Sequence, residues 1–249
     1  MDKELQNQIH VVTAYFDIGW HGRPGTVKRS NDWYITNFAK LAQLQNPMSI
    51  LTQESFKDRI SEIRGNDKLS WLFAYDDLDL ALAKDIMVQQ DRPVQDDLPL
   101  KYVLLMWCKP AFVAAAYKYH KTERPSHYAW VDFAGLRHYA IIPQTPLVPL
   151  AWEYDFSQEA VTLFSTYDTK RKEDRICGSA WVVPSHVATW LAEVFIKMAM
   201  QLVTKEGFYD DEYVLAHLVR EYPDKFNVLT LGRDNFFGAL SVYNKWEDQ

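Results

Sequence analysis

A chain of 249 residues, 48% hydrophobic and 14% aromatic, has ample apolar mass for a sizeable core, which excludes a disordered protein. Its 27 basic and 33 acidic residues leave a net charge of −6, which argues against non-specific nucleic-acid binding, because phosphate backbones are held by a basic excess. A small phosphorylated ligand needs only one or two well-placed cations and stays open.

Two cysteines, Cys108 and Cys177, form no CxxC pair and no Cys/His cluster of zinc spacing. Reduced thiols are the simplest reading, with a single disulfide as the alternative. The opening Met1-Asp2-Lys3-Glu4-Leu5-Gln6 lacks the basic and apolar regions of a signal peptide. Residues 187–203 are the most apolar long stretch, but they carry Glu193 and Lys197 and are short for a bilayer, so they read as a buried helix. The expected location is cytoplasmic, with association at an inner membrane surface as a variant.

Residues 9–16 (IHVVTAYF) predict a buried first strand, followed by a loop over 17–29 with Gly19, Gly22, Pro24 and Gly25. Ser30, Asn31 and Asp32 offer N-caps to a helix carrying Tyr34, Phe38 and Leu41, which Asn46-Pro47 stops. MSILT (48–52), a charged helix over 55–64 and SWLFA (70–74) complete a β-α-β-α-β run, the pattern of a parallel sheet with helices on its faces. Residues 89–100 read as a polar loop. Residues 101–119 read as mostly helix around Pro110, the alternative being a strand over 102–107 before a helix over 110–119. YAWVDF (128–133) predicts an apolar strand with one carboxylate near its end. The Pro-rich 143–150 is expected to cross the surface. VTLFS (161–165) and SAWVV (179–183) predict strands that pair antiparallel. The helix over 187–203 shows an apolar stripe of Val187, Trp190, Leu191, Val194 and Met198. Asp210 caps a last helix over about 211–221. No linker separates two cores, so one domain is expected.

Chemistry concentrates at four places. Asp132 ends a buried apolar run, which is costly unless something pairs with it. At a strand's carboxyl end it can hold Mg²⁺ or Mn²⁺ against phosphates, or cap a turn before Gly135. Thr13-Ala14-Tyr15-Phe16-Asp17 leads into the first loop, where backbone groups and Asp17 can receive a nucleoside; an ordinary strand-to-loop junction is the plainer reading. Asp210-Asp211-Glu212 suits the positive end of a helix dipole, and a carboxylate there can also take a proton from an acceptor hydroxyl. Lys170-Arg171-Lys172 with Arg175 reads as a solvated face or a loop over phosphates. Arg29 and Lys109 are isolated cations. His138, His186 and His217 read as structural histidines, since none belongs to a metal-spaced motif. There is no GxSxG.

Four blocks together carry a resemblance: HVVTAYFDIG (10–19), KRSNDWYITNFAKLAQLQNPMSILT (28–52), MWCKPAFV (106–113) and YAWVDFAG (128–135). In combination they resemble the HtrL/YibB family of bacterial proteins associated with lipopolysaccharide or surface-polysaccharide loci. That family resembles the GT-A class of glycosyltransferases, which implies an α/β fold with a mixed central sheet flanked by helices. The resemblance implies a nucleotide-binding half over about 9–135 and an acceptor-side half over about 136–249. It implies that Thr13, Ala14, Tyr15, Phe16 and Asp17 receive the nucleoside and that Arg29 and Lys109 face the phosphates. Asp132 matches the last acid of a DxD motif and so a Mn²⁺ or Mg²⁺ ligand. Gly178, Ser179 and Trp181 would face donor sugar and acceptor, and Asp211 and Glu212 would supply a catalytic carboxylate. One departure stands out: Trp130 replaces the first DxD acid. The expected partners are a nucleotide sugar, with UDP favoured, and a glycan or lipid-linked acceptor. The implied function is sugar transfer in surface-glycan synthesis, the alternative being a non-catalytic nucleotide-sugar-binding or assembly protein.

Overall fold

The structure, a computed structural model, describes residues 9–20, 22, 28–44, 46–65, 70–75, 94, 98–120, 124–136, 159–168 and 173–231. The Pro-rich 143–150, His138, the basic run at 170–172 and most of the 89–100 loop lie outside them.

Among the described residues, seven strands form one sheet in the order β3-β2-β1-β4-β6-β5-β7. They are β1 (Ile9–Tyr15), β2 (Met48–Gln53), β3 (Ser70–Tyr75), β4 (His127–Val131), β5 (Val161–Asp168), β6 (Glu173–Pro184) and β7 (Phe226–Leu231). β1 pairs in parallel with β2 and β4, β2 with β3, and β5 with β7, while β6 runs antiparallel to both β4 and β5. The expected α/β fold, a mixed central sheet flanked by helices, is what the described residues display. It runs without interruption through both halves of the chain.

Helices cover both faces. α1 (Asn31–Leu41) and α2 (Lys57–Arg64) bury Ile35, Phe38, Leu41 and Ile60 against Ile9, Val11, Ala129 and Val182. On the other face lie α3 (Leu100–Trp107), α4 (Lys109–Tyr119), α5 (Ala188–Lys205) and α6 (Asp211–Glu221). They pack on Val12, Tyr128, Trp130, Leu163, Trp181 and Val183. Strand alternation sorts these side chains, since successive residues point to opposite faces.

Local chemistry explains the element ends. Ser30 Oγ accepts from the Trp33 N–H at 3.1 Å and opens α1. At the other end of α1, Arg64 of α2 donates to the carbonyls of Ala42, Leu44 and Asn46 at 2.6–2.8 Å, closing the turn into β2. Asp210 Oδ1 accepts from the Tyr213 N–H at 3.1 Å and opens α6. Asp210→Ala is expected to cost about 1 kcal/mol of stability, read as a lower urea midpoint.

The 101–119 segment is mostly helix, as expected, in two helices that meet at Cys108, because Pro110 sits in the first turn of α4 and gives no N–H to continue α3. Two features differ from the reading of the sequence. The buried line of α5 is Leu191, Phe195, Ala199 and Leu202, with Trp190, Val194 and Met198 beside it. β7 is an unforeseen strand that extends the sheet beyond β5. Residues Ser185–Lys205 are long and apolar enough to cross a membrane by length and composition alone. In this fold they pack on α4 and α6.

Candidate functional site

The winding of the sheet reverses between β1 and β4. From β1 the chain steps outward to β2 and β3, then returns to place β4 on the opposite side of β1. In open α/β sheets ligands bind outside the carboxyl ends of the strands at such a reversal. A cleft lies there. It is lined by Ala14, Tyr15, Phe16 and Asp17 from β1 and its loop, and by Trp130, Asp132 and Phe133 from β4. Trp20, Arg29, Asn31, Trp33, Tyr34, Tyr102, Lys109 and Ser179 complete the parts of the wall that bear on the chemistry.

The start of the first loop, at Asp17 and Gly19, is held by side-chain hydrogen bonds. The Asp17 N–H donates to Gln53 Oε1 at 2.7 Å, and its carboxylate accepts from the Gly19 N–H at 2.8 Å and from Asn31 Nδ2 at 2.7 Å. Gly19 has φ of 74°, a conformation that side chains with a Cβ resist. Tyr15 donates its hydroxyl to Asn31 Oδ1 at 2.8 Å. The Arg29 guanidinium lies over the Trp33 ring, 5.3 Å from its centroid.

The floor is an ionic cluster assembled from four elements. Lys109 Nζ, at the start of α4, donates to Asp211 Oδ2 at 2.7 Å and to the Gly178 carbonyl at 3.0 Å, and it lies 3.0 Å from Asp132 Oδ1. Two of the ammonium's N–H donors thus go to Asp211 and Gly178, and Asp132 is held as an ion pair. Asp132 Oδ1 also accepts from Trp130 Nε1 at 2.9 Å, while the Asp132 N–H donates to the Ser179 carbonyl at 2.8 Å. The side chain of Lys109 is 3% exposed and that of Asp211 6%, whereas Asp132 keeps 29% and faces the cleft. Gly178 closes the cluster, its N–H donating to Glu212 Oε1 at 3.2 Å. A Cβ on Gly178 would overlap Asp211 Oδ2 and come within 3.0 Å of Glu212 Cγ, so the absence of a side chain is what lets the start of α6 approach β6.

Burial alone would lower the Lys109 pKa, but the charges of Asp132 and Asp211 outweigh it and hold the ammonium above its ordinary value. Asp211 moves from 3.8 to about 6, because burial outweighs its attraction to an ammonium shared with Asp132. Between those two values the folded protein binds more protons than the unfolded chain, so the contribution of Asp211 to stability falls as pH rises from 3.8 to about 6. Thermal melts over this window are expected to show wild type losing stability relative to Asp211→Asn as pH rises. Burial pushes the Cys108 thiol up to about 12 and Cys177 to about 11, so neither is a thiolate nucleophile at neutral pH. Both cysteines are free.

Of the residues singled out by sequence, Ala14, Tyr15, Phe16, Asp17, Arg29, Lys109, Asp132 and Ser179 meet at the cleft. Thr13, Gly178, Trp181, Asp211 and Glu212 do not line it. Thr13 is fully buried on the side of Val11, with a hydroxyl that has no hydrogen bond. Trp181 is 1% exposed and stacks on Trp130 inside the core, so it offers no face to a sugar. Gly178 is a backbone spacer beneath the cleft. Asp211 serves Lys109, and Glu212 serves the Gly178 N–H. Lys109 itself meets carboxylates where phosphates were expected. Sequence reasoning missed Trp20, Trp33, Tyr34 and Tyr102; their only signal was aromatic enrichment around the first loop and α3.

Mn²⁺ or Mg²⁺ fits this cluster poorly. The ammonium already lies between the two carboxylates that would converge on a cation. Among the described residues no group of three or more His, Cys, Asp or Glu side chains converges to hold a metal.

Residues 7–72 match the family model described as "Bacterial protein of unknown function (HtrL_YibB)". Protein HtrL of Escherichia coli (strain K12) is 25% identical over 274 aligned positions, which cover 96% of this chain and 93% of that protein. Among solved structures, the chain is similar to mouse xyloside xylosyltransferase 1, with a TM-score of 0.48, 10% identity and coverage of 89% of this chain and 85% of that one. It is also similar to the glycosyltransferase GlyE of Streptococcus pneumoniae TIGR4, with a TM-score of 0.44, 11% identity and coverage of 90% and 45%. A third similar structure is 4-diphosphocytidyl-2C-methyl-D-erythritol synthase of Anaerococcus prevotii DSM 20548, with a TM-score of 0.44, 7% identity and coverage of 98% of each chain. The family-model match at the start of the chain and the alignment with Protein HtrL along nearly all of it bear out the resemblance read from the sequence, to the HtrL/YibB family.

Proposed function

We propose that this protein binds a nucleoside diphosphate sugar, with UDP as the favoured nucleotide, in the cleft between β1 and β4, and transfers the sugar to a hydroxyl of a glycan or lipid-linked acceptor. The observation that carries the reading is the convergence of Tyr15, Asp17, Arg29, Lys109 and Asp132 on one cleft at the reversal of the sheet. Trp33 and Tyr34 offer faces on which a base stacks. Arg29 supplies a cation for the diphosphate. Asp132, paired with Lys109 and Trp130 through Oδ1 and partly exposed at the cleft, offers a carboxylate acceptor to hydroxyls of the sugar. In the transfer a bond forms between the acceptor oxygen and the anomeric carbon, and the bond from that carbon to the diphosphate breaks. The resemblance to the HtrL/YibB family supports reading this chemistry as a step in cytoplasmic assembly of a bacterial surface glycan such as lipopolysaccharide.

Calorimetry with a panel of nucleotide sugars tests the reading. Saturable binding is expected in wild type. Asp132→Asn is expected to weaken it by about tenfold or more, the worth of a hydrogen bond to a charged acceptor. Equal affinity in the two proteins would remove Asp132 from the donor site. One observation favours a second reading, a nucleotide-sugar-binding protein without turnover: neither Asp211 nor Glu212 lines the cleft. Donor binding with no transfer and no donor hydrolysis would select it.

A further inference from the structure

We infer that the Lys109 ammonium takes the place of a divalent cation, so that the cleft binds its ligand without metal. Two carboxylates from distant elements, Asp132 after β4 and Asp211 at the start of α6, converge on one point, each within 3.0 Å of it. Such a pair is half of a divalent-cation site, because hard cations are held by converging carboxylate oxygens. Here a lysine fills the point from a third element, with the Gly178 carbonyl as its remaining acceptor. The ammonium is buried, hydrogen-bonded to Asp211 and the Gly178 carbonyl and paired with Asp132, so it is a fixed part of the fold and no mobile surface charge. A divalent ion held by Asp132 would sit beside that ammonium, and this repulsion is expected to weaken its binding at least about a hundredfold. The cluster also leaves one carboxylate charge uncompensated where a bare pair would leave two, which eases the approach of a diphosphate with Arg29 as the outer cation. This last step rests on the function proposed above; the metal part does not.

The test uses Mn²⁺ alone, followed by electron paramagnetic resonance, with no nucleotide present. Wild type is expected to leave Mn²⁺ free. Lys109→Met exposes the two carboxylates to each other and is expected to gain one bound Mn²⁺ and a higher melting temperature in its presence. Adding Asp211→Asn to that variant is expected to abolish the gain. A merely structural lysine would give no such metal-dependent recovery. If Lys109→Met does not fold alone, refolding from urea with Mn²⁺ gives the same readout: recovery of native near-ultraviolet dichroism supports the inference, and failure to recover overturns it. Wild type binding one Mn²⁺ that Asp132→Asn abolishes, or folded Lys109→Met binding none, also overturns it. A parallel UDP titration is expected to give the same affinity, within about twofold, in EDTA and in Mn²⁺. Tighter binding only with Mn²⁺ overturns the inference. Absence of UDP binding in both conditions overturns the proposed function and leaves the Mn²⁺ result to decide the metal question.

Discussion

Lys109→Met is expected to destabilise the protein by about 3–5 kcal/mol, the usual effect of removing one partner from a buried ion pair. The methionine keeps most of the apolar stem, so packing changes little and the loss is electrostatic. Asp211 is then left buried with no cation, facing Asp132 across the vacated point. Its carboxyl group responds by holding its proton more strongly, so the loss is largest at neutral pH and shrinks in acid. Urea unfolding at neutral and at acidic pH reads this directly. A midpoint equal to wild type at neutral pH would mean that the cluster adds nothing to the fold.

Gly178→Ala is expected to cost about 1–3 kcal/mol, as overpacking in a closed site does. The backbone at Gly178 is not in the left-handed region, so conformational freedom is not the reason for the glycine. The reason is proximity: a Cβ meets Asp211 Oδ2, with Asp211 Cγ at 2.9 Å and Glu212 Cγ at 3.0 Å. The Asp211 side chain cannot swing aside without leaving Lys109. The start of α6 must therefore lift from β6, which also lengthens the bond from the Gly178 N–H to Glu212. Removing the obstructing carboxylate with Asp211→Ala is expected to make the double variant less destabilised than the sum of the two changes. Additive losses would place the strain elsewhere.

The frame of the fold was legible because its signals are local. The apolar run at 9–16, the Ser30 cap and the Asn46-Pro47 stop each act within a few residues, and β1, α1 and β2 follow them closely. The reversal that opens the cleft needs the strand order, which no local pattern contains. β7 went unseen although FNVLTL has strand-forming residues, because its place beside β5 is fixed only by the sheet. Trp181 shows how a family motif can mislead: alternation along SAWVV puts it on the same side as Val183, toward the core. The Lys109 cluster lay halfway between. A lysine inside MWCKPAFV and an aspartate ending YAWV both announce buried charges in need of partners. That they pair with each other, and with Asp211 a further 102 residues along from Lys109, is a product of the tertiary fold.

A crystal of the protein soaked with UDP asks the decisive question. The base is expected against Trp33 and Tyr34, with the diphosphate between Arg29 and Asp132 at the carboxyl ends of β1 and β4. Nucleotide density at any other place on the molecule, or an empty cleft at saturating UDP, would remove the basis of the proposed function.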